Sequence, residues 1–117
     1  MSAHPRSSSV RASKLSAQAP VFAALGDETR LSLVAKLSGG SALSITELTT
    51  GASVTRQAIT KHLRVLEDAG LVRGTKRGRE SLYQLSPEPL EEARRALNVI
   101  SEQWDQALAR LKAFVEE

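Results

Sequence analysis

Residues 55–79, TRQAITKHLRVLEDAGLVRGTKRGR, set a two-faced helical pattern directly ahead of two short β-tolerant runs that meet at Arg77-Gly78. At 100° per residue Arg56, Gln57, Thr60, Lys61 and Arg64 share one polar arc, while Ala58, Ile59, Leu63, Val65, Leu66 and Ala69 lie opposite. A helix of this kind packs one side and leaves the other free to bind. Thr55 is suited to accept from the first unpaired N–H groups, and Gly70 to take the left-handed conformation that ends a helix. Residues 71–76 and 80–85 then read as hairpin strands, with Gly78 supplying the positive φ of a tight tip.

Charge is concentrated in the same stretch. Residues 55–79 hold seven bases (Arg56, Lys61, Arg64, Arg73, Lys76, Arg77, Arg79) against two acids, a balance of +5, and residues 80–117 hold four bases against eight acids, a balance of −4. General solvation would not gather cations at a helix start and a turn tip; a polyphosphate surface explains both. Long cations at the tip suit phosphates and a narrow minor groove.

The 117 residues, 41% of them apolar, allow one domain with a single modest core. The chain has no cysteine, which excludes disulfides and thiolate metal sites and permits the cytoplasmic location we expect. No run of about 18 apolar residues exists, so no membrane span is expected. Residues 1–19 are rich in Ser and Ala, carry Arg6, Arg11 and Lys14 and contain no acid, which reads as a flexible basic arm in preference to an organelle transit peptide.

The domain is expected over residues 20–117. A short helix over residues 20–25 breaks at Gly26, and Asp27 caps a second over residues 28–37 with Leu31, Val34 and Ala35 inward. After a Ser/Gly loop, Ser44-Ile45-Thr46-Glu47 has the spacing of a capping box and opens a short helix ending near Gly51. Only a few residues separate it from the helix after Thr55, so the two form a helix-turn-helix pair. The second is the reader: the N-terminal part of such a helix enters the major groove, which makes Thr55, Arg56, Gln57, Thr60, Lys61 and Arg64 the expected DNA-contacting set. Arg73, Lys76, Arg77 and Arg79 form the expected wing contacts.

Residues 87–116 read as one long helix, with Ser86 as cap and Pro87 at its first position. Leu90, Leu97, Trp104 and Leu111 repeat at seven residues and Ala93, Ile100, Ala107 and Phe114 form the second series, widened by Leu108 and Val115. This seam exceeds what a small domain absorbs, so a homodimer through the helix is expected. Within it Trp104 reads as a packing anchor rather than a ligand contact.

Over roughly residues 20–117 the chain resembles the ArsR-type winged helix-turn-helix repressors. Ala24-Leu25-Gly26-Asp27-Glu28-Thr29-Arg30-Leu31 is similar to the family's opening signature, Thr60-Lys61-His62-Leu63 to its recognition-helix motif, Ala69-Gly70-Leu71-Val72 to the exit into the wing, and Gly78-Arg79 to the wing tip. The resemblance implies a mainly α fold of about five helices with a two-stranded wing, dimeric through its terminal helices and acting as a transcriptional repressor. The chain departs from the metalloid-sensing branch: Ser44 and Thr46 stand where that branch has thiolates, and a hydroxyl does not replace a soft anionic sulfur ligand. No histidine follows His62, so the family's Asp/His site on the last helix is missing as well, and neither a metal nor a cofactor is expected.

His62 lies in the middle of the apolar arc and reads as an inward hydrogen-bonding residue between helices. Two function classes remain beside each other: a sequence-specific regulator whose partners are a double-stranded operator, a second copy of itself and an effector the residues do not identify, and a winged-helix protein-interaction module with incidental DNA binding. An enzyme is disfavoured, since two histidines, no cysteine and no clustered carboxylates leave no nucleophile-base pair.

Overall fold

The computed structural model describes residues 15–116, so the expected basic arm lies outside the described residues as far as residue 14. Residues 15–17 are helical, and α1 (Ala19–Leu25) follows with Pro20 in its first turn. Asp27 then caps α2 (Glu28–Leu37), its carboxylate accepting from the Arg30 N–H at 3.0 Å. Next come β1 (Leu43–Ser44), α3 (Ile45–Thr49), α4 (Arg56–Asp68), the hairpin β2 (Val72–Arg77) and β3 (Glu80–Leu85), and the 30-residue α5 (Pro87–Glu116). The chain is thus mainly α with a small antiparallel sheet.

The sheet has three strands, in the order β1-β3-β2, where the sequence suggested two. The additional strand is the dipeptide ahead of α3, pairing Leu43 with Tyr83 and Ser44 with Leu82. Two residues carry no detectable alternation, which is why no strand is legible there. Ser44 serves both elements: it ends β1 and caps α3. The capping box is complete, with Ser44 Oγ accepting from Glu47 N at 3.1 Å and Glu47 Oε1 accepting from Ser44 N at 3.0 Å.

The core lies where the first four helices meet the sheet. Leu33, Leu37, Leu48, Ile59, Leu63, Leu66, Leu71 and Val72 are all but sealed from solvent, each contributing roughly 1.5–3 kcal/mol relative to exposure. On α2 the buried residues are Leu33 and Leu37, so the inward face expected from Leu31, Val34 and Ala35 is corrected: Leu31 is 52% exposed and Ala35 is exposed, with Val34 alone half-buried. A ten-residue helix with apolar residues at 31, 33, 34, 35 and 37 has no single stripe; its orientation follows from what α4 and the sheet offer it. Val65 on α4, expected inward, is likewise 40% exposed.

The end of α4 is closed by backbone bonds from Gly70 N to Glu67 O and from Leu71 N to Leu66 O, both 2.9 Å, with Gly70 at φ 78°. This pairing of bonds around a left-handed glycine satisfies the last carbonyls and turns the chain straight into β2, while Leu71 folds back into the core beside Leu66. Leu71 O then accepts from Ser86 N at 2.9 Å, which fixes the start of α5 against the exit from α4.

α5 enters the core only through its first turns. Ala93 and Ala96 are buried, and Leu90 packs partly against the same cluster. Leu90 and Ala93, expected at an intermolecular seam, are therefore turned onto the domain's own core, because the N-terminal third of α5 lies across it. From Leu97 on the series is open: Leu97, Trp104, Leu108, Leu111, Phe114 and Val115 are 51–76% exposed, Ala107 is exposed and Ile100 half-buried. At about 1.5 Å per residue the helix is long enough to overhang the body, and the molecule extends 63 Å along its longest axis against 37 and 21 Å on the others.

Candidate nucleic-acid interface

The short α3 and α4 are separated by residues 50–55 and pack against each other as a helix-turn-helix pair. Lys36 of α2 steadies the turn from behind. Its Nζ donates to Leu48 O at 3.1 Å and to Thr50 O at 3.4 Å, covering carbonyls that the end of α3 leaves unpaired. The sequence offered no signal for this role, because a lysine at the end of α2 is already explained by the helix dipole.

Thr55 caps α4, its Oγ1 accepting from Ala58 N at 3.1 Å. Beyond it the helix divides as its periodicity requires: Ile59, Leu63 and Leu66 are buried, and Arg56, Gln57, Thr60, Lys61 and Arg64 are all exposed. The whole expected reading set, Thr55 included, therefore lies on open surface. Two of its members also make local bonds. Thr60 Oγ1 donates to Arg56 O at 3.0 Å, and Arg56 Nη1 extends to Thr46 Oγ1 on α3 at a long 3.5 Å.

The hairpin closes between Arg77 and Glu80 over the two residues Gly78 and Arg79. Gly78 has φ 66° and no non-glycine residue in the described chain has positive φ, the signature of a type II′ turn with glycine first. Alternation along β2 places Arg73 and Arg77 on one face of the wing and Lys76 on the other with Gly74. Arg73 stands at the wing's root, paired in register with Gln84 and bordering a groove with Leu37, Leu90 and Arg94, whereas Lys76, Arg77 and Arg79 cluster at the tip. Among the described residues none of the seven cations of residues 55–79 is ion-paired; the carboxylate partners fall to His62, Arg94, Arg95 and Lys112. Unpaired cations on two projecting elements present a positive surface without internal competition for phosphate.

His62 sits behind this face, half-buried, as its position in the apolar arc suggested. Its Nδ1 lies 3.2 Å from Arg30 Nη1, which as an obligate donor makes Nδ1 the acceptor and places the ring proton on Nε2. The Asp27 carboxylate is 3.8 Å from the same nitrogen, an electrostatic neighbour rather than a hydrogen-bond partner. Asp27 itself is held below its ordinary pKa of 3.8, chiefly by the Arg30 backbone N–H and further by the charge of Arg30. The Arg30 partner was not foreseen. Its position within the Asp27-Glu28-Thr29-Arg30 motif is visible in the sequence, but the contact spans 32 residues.

The hydroxyls standing where metalloid sensors carry thiolates are engaged structurally, Ser44 in its capping box and Thr46 as acceptor for Arg56. Among the described residues no three His, Cys, Asp or Glu side chains gather as a metal-holding group, and no helix is long and apolar enough to cross a membrane.

A capped, cation-bearing helix crossing a shorter one, followed by a basic hairpin, defines a winged helix-turn-helix DNA-binding transcriptional regulator. Comparison with known proteins agrees. The family described as "Helix-turn-helix domain" matches residues 25–75. The chain is 44% identical over 77 residues to the uncharacterized HTH-type transcriptional regulator YuzN of Bacillus subtilis, covering 61% of this chain and 84% of that one. It is 33% identical over 96 residues to the arsenical resistance operon repressor of Escherichia coli, covering 81% of this chain and 79% of that one. Among solved structures, an ArsR-like transcriptional regulator from Rhodococcus sp. RHA1 superposes with a TM-score of 0.67 at 41% identity, over 85% of this chain and 92% of the other. The chain belongs to the ArsR family of winged helix-turn-helix transcriptional regulators, a non-enzymatic class.

Proposed function

We propose that this regulator is a homodimeric repressor that reads an imperfectly palindromic double-stranded operator and does so without a resident metal. The observation that carries the reading is the division of α4: Ile59, Leu63 and Leu66 are buried, and every polar member of the opposite arc is exposed and, among the described residues, free of ion pairs. Arg56 is assigned to guanine and Gln57 to adenine, residue types whose donor and acceptor geometry matches those bases in the major groove. Thr55, Thr60, Lys61 and Arg64 add base or phosphate contacts. Lys76, Arg77 and Arg79 at the wing tip hold phosphates, joined further up the strand by Arg73.

The open portion of the α5 seam, from Leu97 through Ile100, Trp104, Ala107, Leu108, Leu111 and Phe114, supports the homodimer. A stripe of large apolar side chains on a helix overhanging its own domain is satisfied by a second copy of the same stripe. Repression is supported by the name of the Escherichia coli relative. Independence from metal is supported by the hydroxyls at positions 44 and 46, which are hard and neutral where sensing needs thiolates.

The test is selection from a pool of random duplexes followed by fluorescence anisotropy at one physiological salt concentration. Enrichment of a twofold-symmetric sequence, bound at least about a thousandfold tighter than a scrambled duplex, is the expected result. Equal weak binding to both duplexes would reverse the proposal in favour of a protein-interaction module.

A further inference from the structure

The recognition helix is held to the body by Ile59, Leu63 and Leu66, whose burial sets which face turns inward, while hydrogen bonds, being directional, hold its rotation more finely. Among the described residues its side chains make two hydrogen bonds to other elements, beside the electrostatic contact of His62 Nδ1 with the Asp27 carboxylate at 3.8 Å. One is the long bond from Arg56 to Thr46 at 3.5 Å, at the very start of α4. The other lies mid-helix, where Arg30 Nη1 donates to His62 Nδ1 at 3.2 Å.

Arg30 is itself anchored at several points. Its Nε donates to Ala24 O at 2.5 Å and its Nη2 to Ala23 O at 3.5 Å, carbonyls at the end of α1. Its backbone N–H is held by the Asp27 carboxylate at 3.0 Å. One planar guanidinium, with its donors in a rigid fork, thus joins α1, α2 and α4. Lys61 neighbours His62 in sequence and Arg64 lies half a turn further on. With side chains reaching about 5–6 Å from the axis, a rotation of roughly 20° displaces their outer atoms by about 2 Å. That breaks a base hydrogen bond confined to about 2.7–3.2 Å, whereas attraction to phosphate charge survives it.

We propose that Arg30 is a positioning residue for sequence reading: by tying the carboxyl end of α1 to His62 it fixes the rotation of α4, and its loss narrows discrimination between sequences while leaving general DNA affinity in place. The inference rests on the reading of α4 as the base-contacting element.

The experiment uses the full chain and two probes, a duplex enriched by the wild-type protein from a random pool and its scrambled counterpart. Arg30→Lys keeps the charge but replaces the fork with a single ammonium; His62→Leu removes the acceptor; His62→Gln retains one. Arg30→Lys and His62→Leu are each expected to shrink the ratio of affinities about tenfold with unchanged binding to scrambled DNA and unchanged salt slope. The double variant should be no worse than either single, and His62→Gln should recover most of the ratio. Losses that multiply in the double variant, equal losses on both duplexes, or unchanged ratios would each overturn the proposal. If thermal melts show that Arg30→Lys does not fold, the His62→Leu and His62→Gln pair decides, equal ratios in the two overturning it. Arg56→Ala separates the two levels: a wild-type ratio in that variant removes the reading role of α4 and this inference with it, while a reduced ratio there beside an unchanged one in Arg30→Lys removes the positioning role alone.

Discussion

Single side chains in this fold hold sharply different offices within a few ångströms of one another. Arg56 projects from the exposed arc of α4 with one long hydroxyl contact, so its truncation disturbs little of the fold. Arg56→Ala should cost about 1–3 kcal/mol on the operator and relax preference at one base position, measured by anisotropy on a panel of single-base operator variants; an equal loss on every duplex would make Arg56 a phosphate contact. Asp27 illustrates the opposite case, a charge used for architecture. Its pKa is depressed in the fold, so the ionised carboxylate stabilises the native state above its ordinary value of 3.8, and that contribution disappears as pH falls through the lower folded value. Asp27→Asn keeps a capping oxygen without the charge. Denaturant titrations of the two proteins should therefore differ near neutral pH and converge well below pH 3.8; a difference that persists in acid would assign the effect to cap geometry. Gly74 has a steric duty. A Cβ there would stand 3.1 Å from the Tyr83 ring and 3.3 Å from the Glu67 carboxylate, so a side chain at position 74 fits only where the Tyr83 ring and the exposed Glu67 give way by a few tenths of an ångström.

Among the elements, α4 and the wing were legible in the sequence because each satisfies several local rules at once. Thr55 caps, the 3.6-residue period divides Ile59, Leu63 and Leu66 from the basic arc, Gly70 terminates, and Gly78 turns the hairpin. Where a segment obeyed no single rule the sequence misled. In α2, apolar residues at five of ten positions fit more than one face, and the partner surfaces of α4 and the sheet selected Leu33 and Leu37 over Leu31 and Ala35. β1 was hidden because a dipeptide becomes a strand only through the β3 edge it meets. The candidate site follows the same division: the exposure of residues on a periodic helix could be read from spacing, while Arg30 and Lys36, which hold that helix and the preceding turn from behind, depend on contacts between residues distant in sequence. At this scale the wing makes a distinct prediction. Arg77 sits beside the turn, exposed and without an ion pair among the described residues, so Arg77→Ala should weaken binding to all sequences alike and reduce the slope of log K against log salt by about 0.9 per protomer, about 1.8 for the proposed dimer; an unchanged slope would remove the tip from the phosphate contacts.

The molecule as a whole is a small body with one long arm. Its core is complete by Ala96, and the remaining twenty residues of α5 contribute large apolar side chains to solvent rather than to that core. Trp104 is 63% exposed within the single chain, so Trp104→Glu should leave the stability of an isolated domain almost untouched. In the proposed dimer the same change buries a charge. Sedimentation should report a monomer at concentrations where the wild type is a dimer, together with loss of high-affinity operator binding; an unaltered sedimentation coefficient would place the dimer contact elsewhere. Two recognition helices joined in this way would address half-sites roughly 34 Å apart, one helical turn of DNA.

The overhang of α5 also bears on dosage. With the seam supplying the dimer contact, a chain that must pair before it can grip both half-sites meets its operator with an occupancy that rises as the square of its concentration wherever monomers predominate. Halving the number of copies in a dividing cell would then lower occupancy fourfold at the foot of that curve. In the proposed dimer, an apolar stripe left bare on one helix would thus make operator occupancy respond more steeply than in proportion to how many copies of the chain a cell contains.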